Sequence, residues 1–163
     1  MKRTIYGDDH DAYRESVHSF LSRFYEPLGE DIRAGKGLPR EFWLEAGRHE
    51  LLGLEVPDTY GGAGAGDYRF NAVLIEELAK ISAALASCVS IHCDVVAPYL
   101  VELTTDEQKQ RWLPGLCSGE LLTAIGMTEP GAGSDLANLK TTAVRDGDGD
   151  GWLLTGAKTF ITN

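Results

Sequence analysis

A chain of 163 residues, 43% hydrophobic and 25% charged, has the make-up of a soluble globular protein and can bury a core without disulfides or metals. Its net charge of −10 argues against a duplex-binding surface, which needs clustered Lys and Arg to displace counterions, so no nucleic-acid partner is expected. The three cysteines, Cys88, Cys93 and Cys117, cannot all pair and show no metal-ligand spacing, so they read as buried thiols of a reducing compartment.

The N-terminus, MKRTIYGDDHD, has no apolar run after its basic residues. No signal peptide is expected, and a cytoplasmic protein is. No stretch is expected to be both long and apolar enough to span a bilayer. The first predicted helix lies in DAYRESVHSFLSRFYEPLG, where Val17, Phe20, Leu21 and Phe24 share a face and Pro27 ends the run. The second lies in LPREFWLEAGRHELLG, with Pro39 in its first turn, Phe42, Trp43 and Ala46 on its apolar face, and Gly53 closing it.

A glycine-rich loop, Glu55 to Asp67, follows. Asp67 can cap the next helix, whose stripe is Phe70, Val73, Leu74, Leu78 and Ile81. Glu76 and Glu77 on that helix read as solvent-facing or salt-bridged. SAALASCVSIHCDVVAPYLVEL is apolar nearly all round and reads as the central helix of a bundle, kinked or split at Pro98. Thr105 and Gln108 form a capping box for the last helix, and Gly119 ends it.

After Glu120 the pattern changes. LLTAIGM is a short apolar run, KTTAVR and WLLTG have strand character, DGDGDG joins them as a turn, and AKTFITN reads as a further strand. The predicted class is therefore α+β: an all-α helical bundle over residues 1–119, then the first strands of a β-sheet or β-barrel domain over 120–163.

The segment MTEPGAGSD, Met127 to Asp135, is the strongest candidate for a binding loop. It lacks the Gly-Lys-Ser/Thr of a P-loop and the third glycine of the dinucleotide fingerprint. Its glycines still let backbone N–H groups approach an anion, and Thr128 and Ser134 add hydroxyl donors. Taken alone, the loop fits a plain surface turn equally well. In DGDGDG, Asp146, Asp148, Asp150 and Gly151 match the start of a calcium loop, but Ala157 stands where a bidentate glutamate is required, so an acidic hairpin turn is expected. Cys88 and His92 lie one helical turn apart with nothing to complete a zinc site, and a packed, hydrogen-bonded His92 is expected. On the last strand, alternation puts Phe160 and Thr162 on one face, an aromatic beside a hydroxyl.

Taken together, GLEVPDTYGGAGAG, IEELAK, TTDEQKQRWLPGLCSGE, MTEPGAGSDLANLKTTAV and GAKTFITN resemble the acyl-CoA dehydrogenase flavoproteins across nearly the whole chain. The resemblance implies an N-terminal α-helical domain and the beginning of a central β domain, with FAD as cofactor. It implies that the backbone at Ile125, Met127 and Thr128 faces the flavin ring, and that Thr128 bonds its pyrimidine side. Ser134 would reach the pyrophosphate and border the acyl-CoA site, while Phe160 and Thr162 would cover the ring's other edge. Phe160 stands where many members carry Trp.

The implied reaction is α,β-dehydrogenation of an acyl-CoA thioester. A glutamate takes the α-proton while hydride leaves the β-carbon for the flavin. That glutamate would lie beyond residue 163, so no residue here is assigned as catalytic and the chain alone is expected to be inactive. An electron-transfer flavoprotein is the implied electron acceptor, and a homotetramer or dimer the implied assembly. A flavin oxidase or monooxygenase of the same fold, and a non-catalytic half-protein that docks to a partner chain, stay open.

Overall fold

Helix α1 (Asp8–Phe20) opens on Asp8, Asp9 and Asp11, whose charge suits the positive end of the helix dipole. Gly7 N–H donates to His10 Nδ1 at 3.1 Å, satisfying a donor that the helix start leaves open. The structure, a computed structural model, describes residues 4–147, 149 and 151–161. Its chain divides into two compact units, Met1–Thr123 and Ala124–Asn163.

In the first unit Val17, Phe20 and Leu21 are buried as the helical spacing requires, and Phe24 packs beside them. Pro27 does not end the helical run. The chain widens into a π turn at Leu21–Tyr25, tightens into a 3₁₀ turn at Glu26–Leu28, and resumes as α2 (Gly29–Arg33). Pro27 sits in the first positions of the 3₁₀ turn, where its missing N–H breaks no bond.

Helix α3 (Arg40–Arg48) follows Pro39 and buries Phe42 and Ala46. It stops short of the expected Gly53, because Glu50 adopts φ +57 and turns Leu51 and Leu52 into the core. Burying each leucine is worth about 1.5–3 kcal/mol. That outweighs the ~1–2 kcal/mol cost of one left-handed residue.

Asp67 caps helix α4 (Arg69–Ile81) from just outside it: its Oδ1 accepts the Arg69 N–H at 3.0 Å, and its carboxylate also holds the Arg69 guanidinium. Val73, Leu74 and Leu78 are buried, whereas Ile81 at the helix end is exposed. Glu77 is also buried, paired with Arg14, His18 and Lys80.

Helix α5 (Ala83–Ser90), capped by Ser82, runs through a π turn at Ile91–Val96 into α6 (Ala97–Leu103). Pro98 therefore does not split the helix. Ala97 N–H reaches back to His92 O, and this wider winding makes room for a proline ring that would otherwise meet the preceding turn. The unbroken segment Ala83–Leu103 is 21 residues long and contains an 18-residue stretch of mean hydropathy 1.6, enough by length and composition to cross a bilayer. That corrects the expectation that no such stretch exists. Its inner face, including Leu85, Val89, Cys93 and Ala97, is buried within the helical unit.

The capping box of helix α7 (Asp106–Ser118) forms as read: Thr105 Oγ1 accepts from Gln108 N at 3.3 Å, and Gln108 Oε1 accepts from Thr105 N at 3.0 Å. Gly119 ends it at φ +76, where a Cβ would also collide with the Trp43 carbonyl. Helix α1 packs on α4, α4 on α5, and α7 on both α3 and α6.

In the second unit, β1 (Thr142–Arg145) and β2 (Trp152–Thr155) form an antiparallel two-stranded sheet. Thr142 pairs with Thr155 and Arg145 with Trp152. This is the hairpin expected from KTTAVR and WLLTG. Asp148 and Asp150 of its turn lie outside the described residues. LLTAIGM and the described part of AKTFITN are not strands. Thr159 N–H donates to the carbonyl of Thr128, the residue after LLTAIGM, at 3.0 Å, and among the described residues this single backbone bond is too little for a ladder.

Candidate functional site

The loop Met127–Asp135 is shaped by a tight turn. Glu129 N–H donates to Ala132 O at 2.9 Å and Ala132 N–H to Glu129 O at 3.1 Å, with Pro130 and Gly131 at the tip. Among the described residues, the N–H groups of Gly131, Gly133 and Ser134 make no hydrogen bond, nor do the hydroxyls of Thr128 and Ser134. A Cβ added at Gly131 or Gly133 would meet nothing within 4 Å, so the backbone there is open to a ligand. Asp135, the adjacent carboxylate, is engaged by the Asn138 side chain in the 3₁₀ turn Leu136–Asn138.

Beneath the turn sits Glu129. Its carboxylate is buried and both oxygens are engaged. Oε2 accepts the Lys140 N–H at 2.6 Å; Oε1 accepts the Thr141 N–H at 2.9 Å, the Thr141 hydroxyl, and Lys158 Nζ at 3.0 Å. The Thr141 hydroxyl, the Lys140 amide and Lys158 together hold its pKa down to about 2. Gly156 lets the chain leaving β2 press against Thr141, since a Cβ there would collide with the Thr141 side chain.

Lys158 Nζ also donates to the Met127 carbonyl at 3.0 Å, and Thr159 N–H to the Thr128 carbonyl at 3.0 Å. Through these bonds the structure brings Met127 and Thr128 beside the segment that carries Phe160. Ile125 is half-buried on the same stretch, and a Cβ added at the next residue, Gly126, would meet Ile161 and Lys158 at ordinary contact distance. Ser134 lies beyond the tight turn, exposed, with no hydrogen bond tying it to the other site residues among those described.

Phe160 departs from the expected strand geometry. Its φ is +55 and it is 89% exposed. A left-handed backbone costs a non-glycine residue ~1–2 kcal/mol, and it persists here because Lys158 and Thr159 are anchored next to it. The pleat that was to place Phe160 and Thr162 on one face is therefore not present at Phe160, and Thr162 lies outside the described residues. Glu129 and Gly156 were given no role by the sequence, and Lys158 was seen only as a strand residue. Nothing in the spacing of residues 129, 141 and 158 marks them as partners.

Away from this loop, His92 is buried and hydrogen-bonded. Its Nε2 lies 3.1 Å from Leu116 O, and its Nδ1 accepts from Thr123 N at 3.3 Å and lies 2.9 Å from Thr123 Oγ1. It is a packing residue, as expected of a His on that helix. Cys93 and Cys117 are buried and Cys88 half-buried, and burial pushes the Cys117 thiol up to about 11.

The profile of the acyl-CoA dehydrogenase N-terminal domain matches residues 7–120, and that of the middle domain of the same family matches residues 124–163. The mitochondrial long-chain specific acyl-CoA dehydrogenase of Rattus norvegicus is 40% identical over 161 residues, which cover 99% of this chain and 36% of that protein. The crystal structure of an acyl-CoA dehydrogenase from Geobacillus kaustophilus matches with TM-score 0.90 and 42% identity, covering 99% of this chain and 42% of that one. An acyl-CoA dehydrogenase from Bacillus anthracis, complexed with FAD, matches with TM-score 0.86 and 30% identity over 100% of this chain and 28% of its own. The chain thus spans well under half the length of the relatives it matches.

Proposed function

The chain belongs to the acyl-CoA dehydrogenase family, whose N-terminal and middle domains it matches in turn, and from that premise we propose that it is the N-terminal portion of an enzyme that binds FAD and converts an acyl-CoA thioester to the trans-2-enoyl-CoA. The observation that carries this reading is the donor set of the 127–135 loop: backbone N–H groups at Gly131, Gly133 and Ser134 and hydroxyls on Thr128 and Ser134 that find no partner among the described residues. Such donors suit a pyrophosphate and a flavin edge without needing a lysine. The FAD named for the Bacillus anthracis relative supports the same choice of cofactor.

In this reading Gly131, Gly133 and Ser134 hold the pyrophosphate, and Ser134 also borders the acyl-CoA. Ile125, Met127 and Thr128 present backbone and hydroxyl to the ring, and Phe160 and Thr162 cover its other edge. FAD, when bound, supplies the hydride acceptor. The chain's own part is to bind, orient and shield, which is where positioning contributes to rate. No residue of the chain is proposed as the base. An electron-transfer flavoprotein as acceptor, a homotetrameric or dimeric assembly, and a cytoplasmic location belong to the same proposal.

The test is anaerobic addition of acyl-CoA thioesters to the purified intact protein. Yellow protein whose flavin absorbance bleaches on addition supports dehydrogenation. Colourless protein that takes up no FAD overturns the reading. Rapid peroxide formation in air without an added acceptor would move the assignment to a flavin oxidase.

A further inference from the structure

We propose that Glu129 is the positioning residue of the flavin loop: its buried carboxylate fixes the Met127–Thr128 backbone and the approach to Phe160 in the arrangement that receives the ring. This rests on the FAD reading above and deepens it, because Glu129 has both oxygens engaged by the protein.

Two separated pieces of chain converge on the carboxylate carried by a third. Lys140 and Thr141 bring the entry of β1, Lys158 brings the segment after β2, and Glu129 itself closes the tight turn with Ala132. Lys158 then passes the constraint on. Its ammonium is shared between Glu129 Oε1 and the Met127 carbonyl, each at 3.0 Å. The next residue, Thr159, donates to the Thr128 carbonyl, and the residue after that is Phe160 with φ +55. A charge-assisted network of this kind is stronger than neutral hydrogen bonds and is geometrically specific. Without the negative charge, Lys158 keeps only its bond to the Met127 carbonyl, and the left-handed Phe160 has a weaker anchor beside it.

The experiment uses the intact protein with Glu129→Gln, Lys158→Met and Thr141→Val. Glu129→Gln keeps the size and removes the charge. It is expected to raise the FAD dissociation constant of the apoprotein about tenfold, read by quenching of flavin fluorescence, and to change the visible circular dichroism of bound flavin. Lys158→Met should alter the same spectrum, and Thr141→Val should give a smaller change in the same direction. Amide hydrogen exchange at Lys140, Thr141 and Thr159 should speed up in Glu129→Gln while the helical unit keeps its exchange rates and far-ultraviolet spectrum.

Wild-type protein that binds FAD, with Glu129→Gln affinity and flavin spectrum unchanged, overturns the positioning role. Wild-type protein that takes up no FAD overturns the functional reading and the flavin-positioning role with it, and exchange at the three amides then shows only whether Glu129 holds the loop together. If Glu129→Gln does not fold, Lys158→Met and Thr141→Val decide, and no change in either overturns the proposal.

Discussion

Single buried polar groups hold each unit in register. His92 bridges Leu116 and Thr123, and removing its ring nitrogens strands a buried carbonyl. His92→Phe should cost about 2–3 kcal/mol, measured as a shift in urea melts of the helical signal. Burial depresses the His92 pKa below its ordinary value, against a smaller opposing pull from the Leu116 carbonyl. Protonation then favours the unfolded chain, so stability should be complete above pH ~6.5 and fall as pH drops below it, a slope that His92→Phe removes.

Glu129 behaves in the acid range. Its folded pKa of about 2 lies below the unfolded value, so its contribution is present above pH ~4.3 and lost as pH falls toward 2. Protection of the Lys140 and Thr141 amides should track that loss, and Glu129→Gln should flatten it. Glu77 follows the same sign: burial raises its pKa, but Lys80, Arg14 and His18 outweigh this and hold it low. Pairing at Glu77 was legible as an option in the sequence. Its burial was not, because that depends on α1 covering α4.

At the level of elements, ends that depend on local chemistry were legible and those set by packing were not. The Thr105–Gln108 box and Gly119 both stand as read. Thr105→Ala should cost ~1 kcal/mol. Gly119→Ala should cost more, since it adds a Cβ clash with the Trp43 carbonyl to the left-handed strain. Parallel thermal melts of the two variants check the order. By contrast α3 ends early to bury Leu51 and Leu52, and Pro98 is carried through by a π turn. A proline's missing N–H can be read from sequence, but whether the neighbouring turn widens or breaks depends on what the helix packs against.

The two units of the whole molecule differ in how they are held. The helical unit has a continuous core of Val17, Phe42, Leu74, Leu78, Val89 and their neighbours. In the second unit the hairpin is exposed throughout, with Leu154 at 76% and Trp152 at 58%. A two-stranded hairpin without a covering layer is marginal in water. Limited proteolysis of the 163-residue chain should therefore cut within 124–163 first and leave a protected helical fragment, as mass spectrometry would show. Equal protection of both units would contradict this.

Composition, helical periodicity and turn chemistry by themselves determined the α+β class, the order of helices before strands, the hairpin and the caps of α7. These follow from local backbone preference and from the 3.6- and 2-residue periods, which need no knowledge of distant neighbours. Only the tertiary structure decided the burial of Glu77, the unbroken helix through Pro98, the left-handed Phe160, and the meeting of Glu129, Thr141 and Lys158. Each of these depends on chain segments far apart in sequence, and the free energy of burying or pairing a group is set by what arrives from elsewhere to cover it.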